Sequence, residues 1–248
     1  MKPVTLISGA GRGIGRATAL CLAEQGHDLC LLYRRDRQSA EKLAEQIQES
    51  GRQTLLLQAD VGDAEAVAQA FASAIKQFGR LSGVVNNAGI VGDKARLDEM
   101  SSERLQQMLQ TNVLGVMYCC QQAVKHMSTR HGGDGGSIVN VSSVASRIGS
   151  PGEYVDYAAS KGAVDTLSLG LAKEVATEGV RVNVVRPGII DTDIHASGGQ
   201  PDRATRLAPL IPMQRPGQAQ EVAATIAWLL SDQASYCTGS ILDVSGGR

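Results

Sequence analysis

Tyr157 and Lys161 stand four residues apart in Tyr157-Ala158-Ala159-Ser160-Lys161, a spacing that puts both side chains on one face of a helix. A phenol titrates near about 10 in water and is a poor base at neutral pH, but an ammonium beside it favours the phenolate. A downward shift of roughly three units would suit it to general acid–base work. Upstream, an apolar run ends in Asn140-Val141-Ser142-Ser143, which would set hydroxyls at the carboxyl end of a strand, where ligands bind in open α/β sheets. One of Ser142 and Ser143 is expected to hold a substrate oxygen. The competing use of such a pair is to satisfy backbone groups in a turn.

A second chemistry is written in Ser8-Gly9-Ala10-Gly11-Arg12-Gly13-Ile14-Gly15. The run lies between an apolar strand and a helix expected to begin near Arg16. Glycines at 9, 13 and 15 let the backbone turn tightly and approach a pyrophosphate, toward which the helix directs its unpaired N–H groups and positive dipole end. A glycine turn alone is weak evidence, and the strand–turn–helix setting is what favours a dinucleotide.

The choice of dinucleotide falls at the end of the second strand, Tyr33-Arg34-Arg35-Asp36. A guanidinium fork suits a 2′-phosphate, with Arg12 a second cation, so NADP(H) is favoured over NAD(H). The competing reading gives the ribose hydroxyls to Asp36, about twenty residues past the glycine loop. A third makes the arginines a solvated turn. Asp60-Val61 follows the third strand: Asp60 either accepts from the adenine amino group, with Val61 on the ring, or caps the next helix. Asn86-Asn87-Ala88-Gly89 ends the fourth, where small residues allow close cofactor approach, and Asn87 in particular could instead bond the loop backbone.

The elements that must position these groups are seven short apolar runs: 4–8, 29–33, 54–58, 83–86, 137–142, 180–186 and 240–244. Between them lie amphipathic segments at 40–50, 64–78, 105–127, 158–178 and 220–230, with apolar residues recurring at three and four. Alternation of this kind predicts an α/β chain, a Rossmann-type doubly wound seven-stranded parallel sheet with helices on both faces, in a single domain over residues 1–248. Segment 192–216 lacks periodicity, is rich in Gly, Pro and charge, and is expected to be a substrate lid. Arg96, Arg147, Glu153 and His195 are candidate polar contacts for the substrate, although each is more often a solvated loop residue.

A formal net charge of -1 and a pI near 6.4 give no footprint for nucleic acid or a membrane surface. No run approaches eighteen apolar residues, and the segment from Met1 reaches the glycine loop too soon for a signal-peptide core. The five cysteines lack Cys-x-x-Cys spacing, so no metal site is expected; they read as buried thiols in a reducing, cytoplasmic compartment.

Taken together, Gly9, Gly13 and Gly15, Asp60, Asn86 to Gly89, Asn112, the serine strand end, Tyr157 with Lys161, Pro187-Gly188, Thr192 and the closing Thr238-Gly239-Ser240…Val244-Ser245-Gly246-Gly247 run the length of the chain. In this order they resemble the short-chain dehydrogenases/reductases, in their single-domain subgroup of about 250 residues. The resemblance implies hydride transfer between a nicotinamide cofactor and a small-molecule carbonyl or alcohol, with reduction favoured. It implies that Asn112 holds a water in a proton relay, Ser143 orients the carbonyl, Tyr157 carries the proton, and Lys161 bonds the nicotinamide ribose and lowers the tyrosine pKa. It further implies that Ile190 and Thr192, after Pro187 and Gly188, contact the carboxamide, and that the chain forms a homotetramer through helices near 105–127 and 158–178. Asn112 would otherwise read as a polar residue inside a helix, at a bend that exposes its carbonyl. Two departures stand out: Ser8 replaces the usual threonine, and the interval from Ser143 to Tyr157 is one residue longer than the family's usual gap, which keeps Ser142 in contention. An alternative function is a catalytically silent NADP-binding scaffold or regulator.

Overall fold

The computed structural model describes residues 2–248; Met1 and the side chain of His195 lie outside the described residues, and with them the substrate contact expected of His195. In chain order the elements are β1 Val4–Ser8, α1 Gly13–Glu24, β2 Asp28–Tyr33, α2 Arg37–Glu49, β3 Thr54–Gln58, α3 Ala64–Phe78 and β4 Gly83–Asn86. There follow α4 Ser102–Leu109, α5 Gly115–Met127, β5 Gly136–Val141, α6 Ala145–Ile148, α7 Val155–Val175, β6 Val180–Pro187 and β7 Ile190–Asp191. The chain closes through α8 Ile194–Ser197, α9 Arg203–Leu207, β8 Gly217–Gln218, α10 Ala219–Leu230 and β9 Ile241–Val244.

Seven strands form one parallel sheet in the order β3-β2-β1-β4-β5-β6-β9. The strand order reverses between β1 and β4, which opens the crevice at their carboxyl ends where such folds bind ligands. Central strands are apolar on both faces because both are covered. On one face Phe71, Val116, Met127 and Val164 bring α3, α5 and α7 onto Leu6, Leu32, Val84 and Ile138. On the other, Leu22, Leu43, Ile47 and Ile226 bring α1, α2 and α10 onto Ile7, Leu31, Val85 and Val139. The doubly wound arrangement read from the alternation is therefore the one observed.

Three boundaries differ from the sequence reading in ways that matter for the site. Helix α1 begins at Gly13, inside the glycine motif, so its first N–H groups belong to the loop itself. The single helix expected over 105–127 is divided, with a π-helical turn at Gln110–Leu114 between α4 and α5. Such wide turns insert a residue into the helical ladder and are frequent at functional sites. Strand β5 ends at Val141, although the Ser142 N–H still donates to the Val185 carbonyl at 2.8 Å.

Segment 192–216 is not structureless. It leaves and re-enters the body beside a two-residue parallel ladder that pairs Ile190 with Gly217 and Asp191 with Gln218. Between these ends it folds as α8, α9 and a 3-10 turn at Ala208–Leu210. Ile189, Ala204 and Ile211 form a small apolar cluster beneath it. No helix among the described residues is long and apolar enough to cross a membrane. Of the five thiols, Cys30, Cys119 and Cys120 are buried, whereas Cys21 and Cys237 are only partly covered.

Candidate active site

The glycine loop turns where glycine is required. Gly9 and Gly13 adopt φ of +66° and +53°, a region side chains disfavour. Gly15 is required for packing: a Cβ there would lie 2.3 Å from the Gly9 carbonyl oxygen and 2.6 Å from Asn87 Nδ2. Gly11 is unlike these, since its added Cβ would find nothing nearer than 3.7 Å. The loop is tied down by Ser8, whose hydroxyl accepts from the N–H groups of Asn87 and Ala88 at 3.1 Å each. Asn87 Nδ2 donates to the carbonyls of Ser8 and Gly9 at 3.0 Å each, which is the backbone-bonding use of that asparagine.

Beside the loop runs a groove of about 450 Å³, lined by Gly9, Gly11, Arg12, Gly13, Ile14, Tyr33, Arg34, Asp60, Val61, Ala88, Gly89 and Thr192, together with Arg35, Asp36 and Asn87. Its walls fit a dinucleotide: backbone replaces side chains at the loop, the amino terminus of α1 faces the groove, and guanidinium groups stand at the end of β2.

Of the expected cofactor contacts beside the groove, Gly15 does not line it, and nor does Asn86. Its side chain is 2% exposed, and Nδ2 donates to Asn140 Oδ1 at 2.8 Å, away from the groove. Period-two alternation along β4 sends it into the layer beneath α5 and α7, where Asn140 Nδ2 continues the chain to Ser168 Oγ at 2.8 Å. The residue lining the groove at this strand end is Asn87.

Two carboxylates that line the groove have partners of their own. Asp36 caps α2, accepting from the Ser39 N–H at 3.0 Å and the Ser39 hydroxyl at 2.6 Å. Those bonds, with the Arg12 charge a lesser cause, hold its carboxyl below the usual range. Asp60 does not cap α3, because Asp63 does so by accepting from the N–H groups of Glu65 and Ala66. Asp60 instead closes a turn by accepting from the Gly62 N–H at 2.9 Å, and faces Arg34 at 3.4 Å.

The proton-handling residues come together at the carboxyl end of β5. Tyr157 and Lys161 lie on successive turns of α7, with the Lys161 ammonium 5.7 Å from the centre of the Tyr157 ring. The Ser143 side chain lies near enough to the phenol to favour its ionised form. Ser142 is turned away, its buried hydroxyl donating to the Lys161 carbonyl at 3.1 Å. Of the two serines, it is Ser143 whose hydroxyl lies near the tyrosine, while also accepting from the Ala145 N–H at 3.1 Å. The loop between Ser143 and Tyr157 reverses through left-handed Gly149, Ser150 and Gly152.

The titration of this group differs from the expectation. Burial pushes the Tyr157 phenol above its ordinary value, and the nearby Ser143 side chain only partly opposes this. Burial likewise lowers the Lys161 ammonium to about 8, against the attraction of Asp165. Lys161 Nζ spends its short contact on the Val141 carbonyl at 2.8 Å, not on the phenol, so the protein's own groups leave the phenol protonated.

Asn112 sits in the π-helical turn, fully buried. Its amide takes both backbone groups of Ile90, accepting from the N–H at 2.8 Å and donating to the carbonyl at 2.9 Å. It also donates to Ser160 Oγ at 3.1 Å, one residue before Lys161. The side chain thus locks the segment after β4 to α7. Gly89 lies between these groups, and a Cβ there would come within 3.4 Å of Asn112 Oδ1 and 3.5 Å of Lys161 Nζ.

A second cavity opens at the same point, joining Ile14, Gly89 and Thr192 to Ser143, Tyr157, Lys161, Pro187, Gly188 and Ile190. A third, of about 110 Å³, lies on the far side of Tyr157 and is walled by Ser143, Tyr154, Ile189, Ile194 and Arg203, among others. Tyr157 and Ser143 belong to both, together with Pro187, Gly188 and Ile194, so they stand in the wall the two cavities share.

Of the expected polar contacts in that last pocket, Arg96 pairs with Asp98 at the surface. Arg147 pairs with Asp243 outside the pocket. Glu153 binds Arg203 Nη2 at 2.7 Å. Arg203 itself gave no sequence signal, since it sits in a segment without periodicity and is recruited only by the fold. Arg104 was equally hidden: it holds the buried Asp156 at the start of α7 through two bonds, 2.8 and 3.2 Å long.

Fold and site together define a nicotinamide-dependent oxidoreductase of the Rossmann type. The family model described as enoyl-(acyl carrier protein) reductase matches residues 9–248, and the chain belongs to the short-chain dehydrogenase/reductase family. It is 51% identical over 245 residues to the uncharacterized oxidoreductase YgfF of Escherichia coli, with 99% of each chain covered. It is 37% identical to the 3-oxoacyl-acyl-carrier-protein reductase FabG of Staphylococcus aureus, with 100% of this chain and 98% of the relative covered. Among solved structures, a 3-ketoacyl-(acyl-carrier-protein) reductase from Brucella melitensis complexed with NADH superposes with a TM-score of 0.91. It shares 30% identity, with 99% of this chain and 98% of that one covered.

Proposed function

We propose that the chain is an NADPH-dependent carbonyl reductase in which Tyr157 donates the proton. The observation that carries the reading is the position of Tyr157, beside Ser143 and with Lys161 behind its ring, in the wall shared by the two cavities. A nicotinamide bound beside Gly188 and Thr192 would supply the hydride. Ser143 holds the carbonyl oxygen, and Tyr157, kept protonated by burial, delivers the proton to it. Lys161 balances the charge left on the phenolate, and Asn112 fixes the Ile90 backbone that borders both groups. The four residues act as one unit, which leaves the silent-scaffold reading without an observation in its favour.

Arg34 at the end of β2, with Arg12 and Arg35 on the same groove, supports NADPH over NADH, because each carboxylate near the ribose is already engaged. The Brucella relative was solved with NADH, so the preference is a property to measure on this chain. Segment 192–216 serves as the substrate lid in this reading: α8 reaches the glycine loop through the Arg12 guanidinium, which donates to Ser197 Oγ at 3.3 Å. The exposed apolar side chains Leu109, Met117 and Leu169, on α4, α5 and α7, suit those helices to a homotetramer interface. The odd set of free thiols suits a cytoplasmic setting.

The test is fluorescence titration with NADPH and NADH, followed by a panel of carbonyl compounds with wild type and Tyr157→Phe. The reading expects tighter NADPH binding, turnover of at least one carbonyl, and a loss of about a thousandfold or more in the variant with cofactor affinity kept. Turnover surviving in Tyr157→Phe would overturn the tyrosine's role, and an enzyme that answers only to NADH would overturn the cofactor preference.

A further inference from the structure

The pocket on the substrate side of Tyr157 contains one polar group with no function in the chemistry described so far. Arg203, at the start of α9, has a side chain 11% exposed and lines this cavity. Its guanidinium is held on two sides. Nη2 donates to Glu153 Oε2 at 2.7 Å, and the planar face lies over the Tyr154 ring, 5.1 Å from its centre. Tyr154 is itself fixed, since its hydroxyl accepts from Gln200 Nε2. Nη1 is left buried and without a hydrogen-bond partner.

An unpartnered donor shielded from water is costly in a native fold and calls for an explanation. Here the fork is oriented by one carboxylate and one ring, so its remaining edge is preorganised for a planar acceptor. The charge around it favours an anion. Glu153 is the one carboxylate on the fork, and Lys94 and Arg206 also bear on it. Among the described residues that line the cavity there is no Asp or Glu. The rest of the lining is largely apolar, including Val91, Val144, Ile148 and Ile189. A cavity of about 110 Å³ with one oriented cation and apolar walls matches a short chain that carries a charge at one end.

We infer that the substrate of this site is a small oxo acid, its carbonyl at Ser143 and Tyr157 and its carboxylate on Arg203. The inference rests on the carbonyl-reductase reading above and names the substrate class of that same pocket. Arg203 binds the end of the molecule remote from the reacting carbon, so its contribution is to selection among substrates and not to proton transfer. In the complex Nη1 donates to the substrate carboxylate while Nη2 keeps Glu153, which satisfies both ends of the guanidinium.

The experiment compares matched substrates on the full chain with NADPH: straight-chain oxo acids, their methyl esters, and phosphorylated carbonyl compounds of similar length. Wild type is expected to prefer the acid to the ester by about tenfold or more in kcat/KM. Arg203→Met should raise KM for the acid about ten- to a hundredfold while leaving the ester rate and the NADPH affinity unchanged. Arg203→Lys, which keeps the charge but loses the fork and is the gentler change should the methionine variant misfold, should fall between the two. Equal use of acid and ester by wild type, better use of the phosphorylated compound, or an equal loss on both acid and ester in the variants would overturn the inference. A separate measurement tells its failure from that of the reductase reading. Calorimetry of unreactive short carboxylates with the NADP-bound enzyme reports the Arg203 site without turnover: binding lost in Arg203→Met sustains carboxylate recognition even if no carbonyl is reduced, and no binding to wild type overturns it.

Discussion

The ammonium nitrogen of Lys161 lies 5.7 Å from the centre of the Tyr157 ring, and both groups are displaced from their solution pKa values in the direction of the neutral form. Desolvation dominates each shift. The two displacements have different consequences for the two directions of reaction.

In reduction the phenol must start protonated and the ammonium must be charged. Burial secures the first at all ordinary pH values, and the second is lost as pH rises through about 8. The reductive kcat is therefore expected to be level on the acid side and to fall above about pH 8, while alcohol oxidation, which needs the phenolate, rises with pH. Lys161→Arg keeps its charge to far higher pH, so its residual reductive rate should hold beyond the wild-type fall. A pH–rate profile for both enzymes checks this, and a wild-type reductive profile level to about pH 9.5 would contradict it.

Gly11 and Gly15, neither of which has positive φ, isolate the packing demand of the loop. Ala at 15 places its Cβ 2.3 Å from the Gly9 carbonyl, a backbone atom with no room to move, whereas Ala at 11 meets nothing closer than 3.7 Å. Gly15→Ala should destabilise the fold by about 1–3 kcal/mol and weaken NADPH binding, with Gly11→Ala near wild type in a denaturant titration and in affinity. Equal behaviour of the two would mean that close helix–loop packing is not what position 15 serves.

Arg34 and Asp36 decide the ribose end of the groove. Asp36 has both oxygens on Ser39 as the cap of α2, so Asp36→Ala should lower stability by the loss of that cap and leave NADH affinity alone. Arg34 faces Asp60 at 3.4 Å in a half-exposed pair, an interaction weak enough for a phosphate to displace. Arg34→Ala should weaken NADPH by about tenfold or more and NADH hardly at all. Fluorescence titrations on both variants give the answer, and a selective loss of NADH in Asp36→Ala would reverse the assignment.

The parallel sheet was legible because buried parallel strands read as apolar runs punctuated by glycine and polar residues, and the spacing of Tyr157, Lys161 and the glycine loop was legible because it is local. What escaped was set by atoms far apart in sequence. Nothing in Asn86-Asn87 says which amide meets the groove, since that depends on the pleat of β4. The π-helical turn at Asn112 is invisible to a periodicity of three and four. Ser142 and Ser143 were separable only once the Lys161 carbonyl was seen to take the Ser142 hydroxyl. Arg203 belongs to a segment whose helices are one or two turns long, too short for a pattern, and its partners Glu153 and Tyr154 are about fifty residues away.

The buried line from Asn86 through Asn140 to Ser168 gives the corrected role of Asn86 a direct test. Truncating one member leaves the next with an unsatisfied buried group, at a cost of about 1–3 kcal/mol. Asn86→Ala and Asn140→Ala should each lower the denaturant midpoint by that amount while NADPH affinity stays at the wild-type level. A selective loss of cofactor affinity in Asn86→Ala, with stability kept, would return that residue to the groove.

Lys161 also makes the stability of the protein depend on pH in a direction that can be measured apart from activity. Its ammonium titrates at about 8 in the folded chain and near about 10.4 when unfolded. Below about pH 8 both states hold the proton, so the cost of burying the charge is present in full and does not vary. Above that, the folded state releases its proton first, the unfolded state binds more protons, and stability rises with pH. Lys161→Met lacks the titrating group and loses the bond to Val141, but that loss does not depend on pH. The unfolding free energy of wild type minus that of Lys161→Met should therefore be constant from pH 6 to 7.5. It should then climb by up to about 1.4 kcal/mol per pH unit as pH rises between about 8 and 10. A difference that stays level across the alkaline range would mean that the lysine keeps its solution pKa in the fold. The fall in reductive rate above pH 8 would then have to come from some other group.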